Sequence, residues 1–243
     1  MKARVFFIMA AFFTVITTNA KTLVVYYSFT NNVHTIVSDL STQIDADVIR
    51  IEPAEKGIDY AANGYAAGSA LISAIRNNPE DASSYPAIDP VTVNMDDYNM
   101  VIVAAPLWWS QMAAPLQTFL FQHGKEMAGK HIALIVSSAS SGISGVVADA
   151  KRLIPQGIFL EPNLWIRSSQ VPDCHSMIGQ WLSYINYSDI ASIIPAVNRD
   201  FEDKVVATYN INGQRVGTGQ KTTGIFITQY RKAGKIYSKK SIK

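Results

Sequence analysis

The chain has 243 residues, 48% of them hydrophobic, enough for the full core of one ordinary domain with appendages. Its near-neutral total hides an asymmetry: residues 21–201 carry 10 Lys+Arg against 17 Asp+Glu, a net of −7, and residues 202–243 carry 9 against 2, a net of +7. An acidic body argues against nucleic-acid binding and fits docking to a basic protein partner, with a merely solvated acidic surface as the plain alternative.

Residues 1–20 read as a cleaved secretory signal. Lys2 and Arg4 precede an apolar stretch from Val5 to Ile16, and Thr18-Asn19-Ala20 ends in the small residue a signal peptidase accepts. The stretch is too short to span a bilayer comfortably, and no cysteine stands at the cut to take a lipid. The expectation is an exported protein, periplasmic or at the cell surface, whose membrane contact ends with export. Cys174 is the only cysteine, so there is no internal disulfide, and beside His175 it reads as a packed or incidental thiol rather than a nucleophile.

An apolar and aromatic run, Leu23 to Tyr27, stops at Ser28-Phe29-Thr30-Asn31-Asn32, and a helical pattern begins at once with Val33, Ile36, Val37 and Leu40 on one face. A buried strand feeding a hydroxyl- and amide-rich loop that opens a helix is suited to phosphate, because loop N–H groups and the helix dipole converge there. A plain turn with polar caps is the alternative. Asp47 to Glu52 alternates like a second strand, Asp59 to Arg76 suggests a helix bearing Tyr60 and Tyr65, and Asn77 to Pro90 is loop-like. Met100 to Ala105 is a strand covered on both faces, Ala113 to Gln122 a helix, and Ile132 to Val136 another buried strand. Ile143 to Leu153 is helical, Leu164 to Arg167 a short strand, and Asp173 to Ile185 a last helix.

Five strands alternating with five helices predict an α/β fold, a doubly wound five-stranded parallel sheet with helices on both faces. Ligands of such sheets sit beyond the carboxyl ends of the strands, where strand order reverses. The loops after strands one, three and four therefore matter most. After strand three, Pro106-Leu107-Trp108-Trp109-Ser110 places two adjacent tryptophans in a loop bounded by prolines, where one ring can turn inward and the other is left to cover something flat. After strand four, Ser137-Ser138-Ala139-Ser140-Ser141-Gly142 offers small side chains and backbone N–H groups on the same rim. Together the loops suit a ligand with a phosphate at one end and a flat ring at the other.

From about Thr22 to Ile185 the chain resembles the flavodoxin-like proteins, specifically a bacterial branch with a Pro-x-Trp-Trp loop. The resemblance rests on Tyr27 to Asn32, Tyr98 to Pro115, Ser137 to Gly142, Leu164 to Arg167 and Trp181-Leu182. It implies flavin mononucleotide (FMN) as the bound group. The implied phosphate ligands are Ser28, Thr30 and Asn32, with N–H groups from Asn31 to Val33. The implied ring-side groups run from Pro106 and Leu107 through Trp108 and Trp109 to Ser110. Ser138, Ala139, Ser140, Ser141 and Gly142 would edge the pyrimidine side. The family's usual loop has glycine at position 31 and threonine at 33. Asn31 tolerates a left-handed backbone, whereas Val33 removes a hydroxyl expected to contact phosphate.

No general base or nucleophile is needed for outer-sphere electron transfer, and no catalytic residue is assigned. His34, just inside the first helix, reads as solvent-facing, and His123 and His131 lack the spacing of a metal site. Gly142-Ile143-Ser144-Gly145-Val146 lacks the glycine spacing of a hydrolase nucleophile elbow. Beyond residues 188–201, read as a linker, residues 202–243 read as a basic β-rich tail with strands at Val205–Asn210, Gln214–Val216, Gly224–Arg231 and Lys235–Ser238. The tail resembles C-terminal sorting tails of a bacterial surface-secretion system. The leading expectation is an exported FMN protein of residues 21–187, serving a redox partner protein or a small electron acceptor as carrier or reductase. The alternative is a surface-associated binding module on the same scaffold without flavin. A nicotinamide-using quinone reductase would need a second nucleotide site, for which the sequence offers no motif.

Overall fold

The computed structural model describes residues 21–191, 204–210, 225–232 and 235–242. The signal-like segment, the Gln214–Val216 strand expected in the tail and most of the linker lie outside the described residues. The chain divides into two units, residues 1–194 and 195–243.

In the first unit the elements run β1 (Lys21–Tyr26), α1 (Asn32–Gln43), β2 (Asp47–Arg50), α2 (Ala62–Asn77), β3 (Tyr98–Trp108), β4 (Gln111–Met112) and α3 (Ala114–His123). They continue with β5 (His131–Ser138), α4 (Ser144–Leu153), β6 (Ile158–Phe159), β7 (Leu164–Arg167), α5 (Cys174–Tyr184) and α6 (Tyr187–Ala191). The strand order is β2-β1-β3-β5-β6, with β7 also on β5 and β4 on β3. All these pairs are parallel except β3 with β4. The α/β doubly wound sheet expected from the sequence is therefore present, and strand order reverses between β1 and β3.

The period-two alternation of β1 explains the layering. Leu23, Val25 and Tyr27 face one core with residues of α2, α3 and α4, whereas Val24 and Tyr26 face a second core with α1 and α5. Both cores are dry: Leu23, Ile36, Leu40, Phe119 and Ile132 have no exposed surface. Burying each such side chain contributes about 1.5–3 kcal/mol.

Three local departures from the sequence reading have physical causes. The fifth strand position is shared by two short segments, because β6 pairs with the start of β5 and β7 with its end. Asn63, Gly64 and Tyr65 all have left-handed φ, 51°, 64° and 67°, so regular helix in α2 begins after Tyr65 rather than at Asp59. Finally, β3 turns back on itself through β4, a hairpin that apolar periodicity does not announce.

The second unit has β8 (Lys204–Asn210), β9 (Ile225–Lys232) and β10 (Lys235–Ile242) in an antiparallel sheet of order β10-β9-β8.

Candidate functional site

The loops following β1, β3 and β5 meet at the carboxyl edge of the sheet around a cavity of about 340 Å³. The β1 loop contributes Phe29, Thr30 and Asn32, and the β3 loop contributes Pro106, Leu107, Trp108 and Trp109. The β5 loop contributes Ser137, Ser138 and Ala139. Three further lining residues were not singled out from the sequence as ligand groups: Tyr60 and Tyr65, between β2 and the regular part of α2, and Ser168, after β7. Tyr60 and Tyr65 were assigned to a helix. The glycines at 57 and 64 that bracket Tyr60 were the available sign of a loop there.

At the β1 loop, Asn31 stands at φ 65° at the N-cap of α1 and makes no side-chain capping bond. Its left-handed turn aims the following chain into the helix, a conformation asparagine reaches more readily than most residues. The Ser28 hydroxyl is buried and accepts the His34 N–H at 3.1 Å, so it satisfies one of the orphan donors of α1. Val33 is 1% exposed and packs in the second core, so its side chain does not point toward the loop's open side. Ser28, Asn31 and Val33 are not among the cavity-lining residues; Thr30 and Asn32 are. The His34 ring is held by the Tyr26 hydroxyl at 2.8 Å.

The tryptophan loop is a two-residue hairpin: Leu107 pairs with Met112 and Trp108 with Gln111. Its turn residues, Trp109 and Ser110, both have positive φ, 46° and 63°. Tight hairpins demand that conformation because it matches strand twist, but glycine and asparagine are the residues that adopt it cheaply. Trp108 turns inward against Tyr60, Tyr27, Phe29 and Trp109, with ring centroids at 5.0, 5.6, 6.3 and 6.3 Å. Edge contacts of this kind contribute about 0.5–1.5 kcal/mol each. Trp109 keeps 39% of its surface exposed and meets Tyr65 edge-on at 6.3 Å.

Neighbouring helices hold this turn. A Cβ on Gly68 of α2 would come within 2.8 Å of the Trp109 ring, so the indole lies directly on helix backbone. Arg76, also on α2, donates to the Trp109 carbonyl at 3.2 Å. A Cβ on Gly145 of α4 would sit 1.8 Å from the Ser110 carbonyl oxygen, a backbone contact that leaves no room for a side chain. Met112 is gripped on both sides: its N–H donates to Asp149 at 2.9 Å, and its carbonyl accepts from Gln117 at 2.7 Å. Arg152 ties those two partners together at 3.3 and 2.9 Å. Burial pushes the Asp149 carboxyl above its ordinary value, opposed by the Met112 N–H and by Arg152.

At the β5 loop, the Ser138 hydroxyl accepts from the Trp165 indole N–H at 2.8 Å and donates to the Ser141 carbonyl at 2.8 Å. That pair of bonds folds the chain back after Ala139. Ser140, Ser141 and Gly142 are exposed and do not line the cavity, and neither does Ser110. The cavity lining contains no charged side chain.

Other candidates fall away on geometry. Cys174 is 3% exposed, and burial followed by the charge of Asp39 pushes its thiol upward, so it stays protonated. His175 is engaged with Asp39 at 3.0 Å, and His123 lies 3.4 Å from Glu126. Among the described residues no group of three His, Cys, Asp or Glu could hold a metal ion, and no helix is long and apolar enough to cross a membrane.

The sequence pattern of the flavodoxin family matches residues 21–183. Among solved structures, a proposed flavoprotein from Bacteroides eggerthii has 22% identity and a TM-score of 0.55, covering 69% of this chain and 99% of that one. Another from Bacteroides uniformis has 22% identity and a TM-score of 0.53, covering 68% and 99%. A Lactobacillus acidophilus flavoprotein, solved in complex with FMN, has 20% identity and a TM-score of 0.51, covering 65% and 99%. No curated protein sequence matches the chain. With its family pattern running from β1 into α5 on a parallel sheet of the expected order, this chain belongs to the flavodoxin family.

Proposed function

We propose that the cavity binds FMN and that the protein passes electrons to a redox partner protein or a small acceptor. One observation carries the reading. One cavity at the carboxyl edge of the sheet is lined both by hydroxyl and amide groups beside the N-terminus of α1 and by two indoles. The residues fit the group. Thr30, Asn32 and the N–H groups opening α1 would hold the phosphate without a cation, as helix N-termini do. Trp108 and Trp109 would wall the ring, and Ser137 to Ala139 would supply close-approaching backbone on its edge. The Lactobacillus acidophilus relative in complex with FMN supports the same assignment.

Bound FMN would supply one- and two-electron redox chemistry. The protein's part is positional and electrostatic. The hairpin keeps the indoles in place, the aromatic wall excludes water from one side, and Trp109 and Tyr65 leave an exposed edge for an acceptor. The lining holds no charged side chain, so it would give little stabilisation to negative charge on a bound ring and would favour a reduction potential below that of free flavin. The first twenty residues and the basic tail support export, to the periplasm or cell surface.

The test is a titration of the purified protein with FMN. Quenching of flavin fluorescence and a shifted absorbance band are expected at micromolar concentrations or below. Unquenched fluorescence at about tens of micromolar protein would discard the reading and favour a flavin-free binding module on this scaffold.

A further inference from the structure

Of the four tryptophans, Trp108 and Trp109 wall the cavity, and Trp181 is buried in the second core with its indole N–H donated to the Pro162 carbonyl at 2.8 Å. Trp165 has a different place. It stands on β7, where Leu164 and Ile166 are buried in the second core, so strand alternation turns Trp165 and Arg167 to the other face of the sheet. There the register sets Trp165 beside Val136 and Arg167 beside Ser138. The Trp165 indole reaches forward along the sheet and donates its N–H to the Ser138 hydroxyl at 2.8 Å. The Arg167 guanidinium lies over the indole, 4.7 Å from the ring centroid, and holds it from outside.

That hydroxyl governs the β5 loop. Ser138 is 6% exposed, and its one O–H is committed to the Ser141 carbonyl at 2.8 Å. A serine hydroxyl rotates to suit its partners, and accepting from the indole fixes the direction in which it donates. The donated bond closes the turn from 138 to 141, where a side chain does the work of a backbone N–H. The Ser138 carbonyl is held as well, because it accepts from the Ser168 hydroxyl at 3.4 Å. The end of β7 thus grips Ser138 at both side chain and backbone. Ser138, Ala139 and Ser168 line the cavity, whereas Trp165 does not.

We propose that Trp165 is a positioning residue for the edge of the bound flavin ring. Acting through Ser138, its indole N–H fixes the turn that presents Ala139 and its backbone to the ligand. The inference rests on the FMN reading above and adds to it a residue outside the cavity wall. An apolar side chain of similar bulk would cover the flank of the sheet equally well, so the N–H is what this position supplies.

The experiment is a double-mutant cycle on the full chain, with Trp165→Phe, Ser138→Ala and the combined variant each titrated with FMN by flavin fluorescence. Trp165→Phe keeps an aromatic ring and removes the N–H. Each single variant should weaken FMN by about tenfold, and the combined variant should lose no more than either. The absorbance band of bound flavin should shift to the same new position in all three, because each releases the same turn. Ser138→Ala leaves the edge strand untouched, so it carries the prediction even where Trp165→Phe perturbs folding. Additive losses would leave Trp165 a packing role alone and overturn the proposal, as would parent-like FMN affinity in either single variant. A parent protein that leaves flavin unquenched discards the FMN reading and this inference together. A parent that binds FMN but gives an additive cycle discards this inference alone.

Discussion

Single residues in this protein divide sharply between those that build the site and those that look as if they should. Val33 shows how. It belongs to the same helical face as Ile36, Val37 and Leu40, a pattern plain in the sequence, and its burial follows from that face. The expectation that valine at position 33 removes a phosphate contact came from the family's loop, whereas the burial of the side chain follows from the amphipathic pattern. Ser110 is the opposite case. Nothing in its surroundings announces a φ of 63°, which only the β3–β4 pairing reveals. Ser110→Gly should relieve a left-handed serine and raise stability by about 1 kcal/mol, read by urea denaturation, with FMN affinity unchanged. Asp149 makes a pH prediction. Its folded carboxyl lies above the ordinary value, so the folded state holds more protons than the unfolded state between those two values. Stability from this group is present below the unfolded value and is lost as pH rises through the folded one. Relative to Asp149→Asn, the parent should therefore gain stability as pH falls from neutral toward about 4, measured by denaturation at several pH values.

At the scale of elements, the hairpin of β3 and β4 is the part whose placement depends most on its neighbours. The tandem tryptophans and bounding prolines were visible in the chain, as was the expectation that one ring turns in and one stays out. The supports were not visible, because Gly68, Arg76, Gly145 and Asp149 are far from the hairpin in sequence and carry no motif. Gly145→Ala forces the first turn of α4 away from the Ser110 carbonyl. It should lower stability by about 1–3 kcal/mol and weaken FMN at least tenfold, read by thermal melts and flavin titration. Gly68→Ala gains helix propensity of about 1 kcal/mol but must displace the Trp109 ring. It should leave the melting temperature nearly constant while changing tryptophan fluorescence. The buried strands were readable because each is an unbroken apolar run. The split between β6 and β7 was not, since Gly157 to Asn163 holds only three consecutive apolar residues before Glu161-Pro162.

For the whole molecule, the family pattern ends at residue 183, inside the first unit. A chain ending at residue 194 should therefore fold and keep its FMN affinity, checked by circular dichroism and titration. Loss of folding in that shortened chain would show that the basic tail contributes to the core unit. The outer strands of the parallel sheet carry a consequence of another kind. One flank ends in β2, Asp47–Arg50, and the other in the separate short segments Ile158–Phe159 and Leu164–Arg167. Long, flat, apolar edges are the templates on which sheets of different molecules add to one another. Here each flank offers only a few unpaired backbone groups, and β2 sets Asp47 and Arg50 at its ends. Among the described residues, crowded copies of the protein therefore meet only short edges on which to continue this sheet.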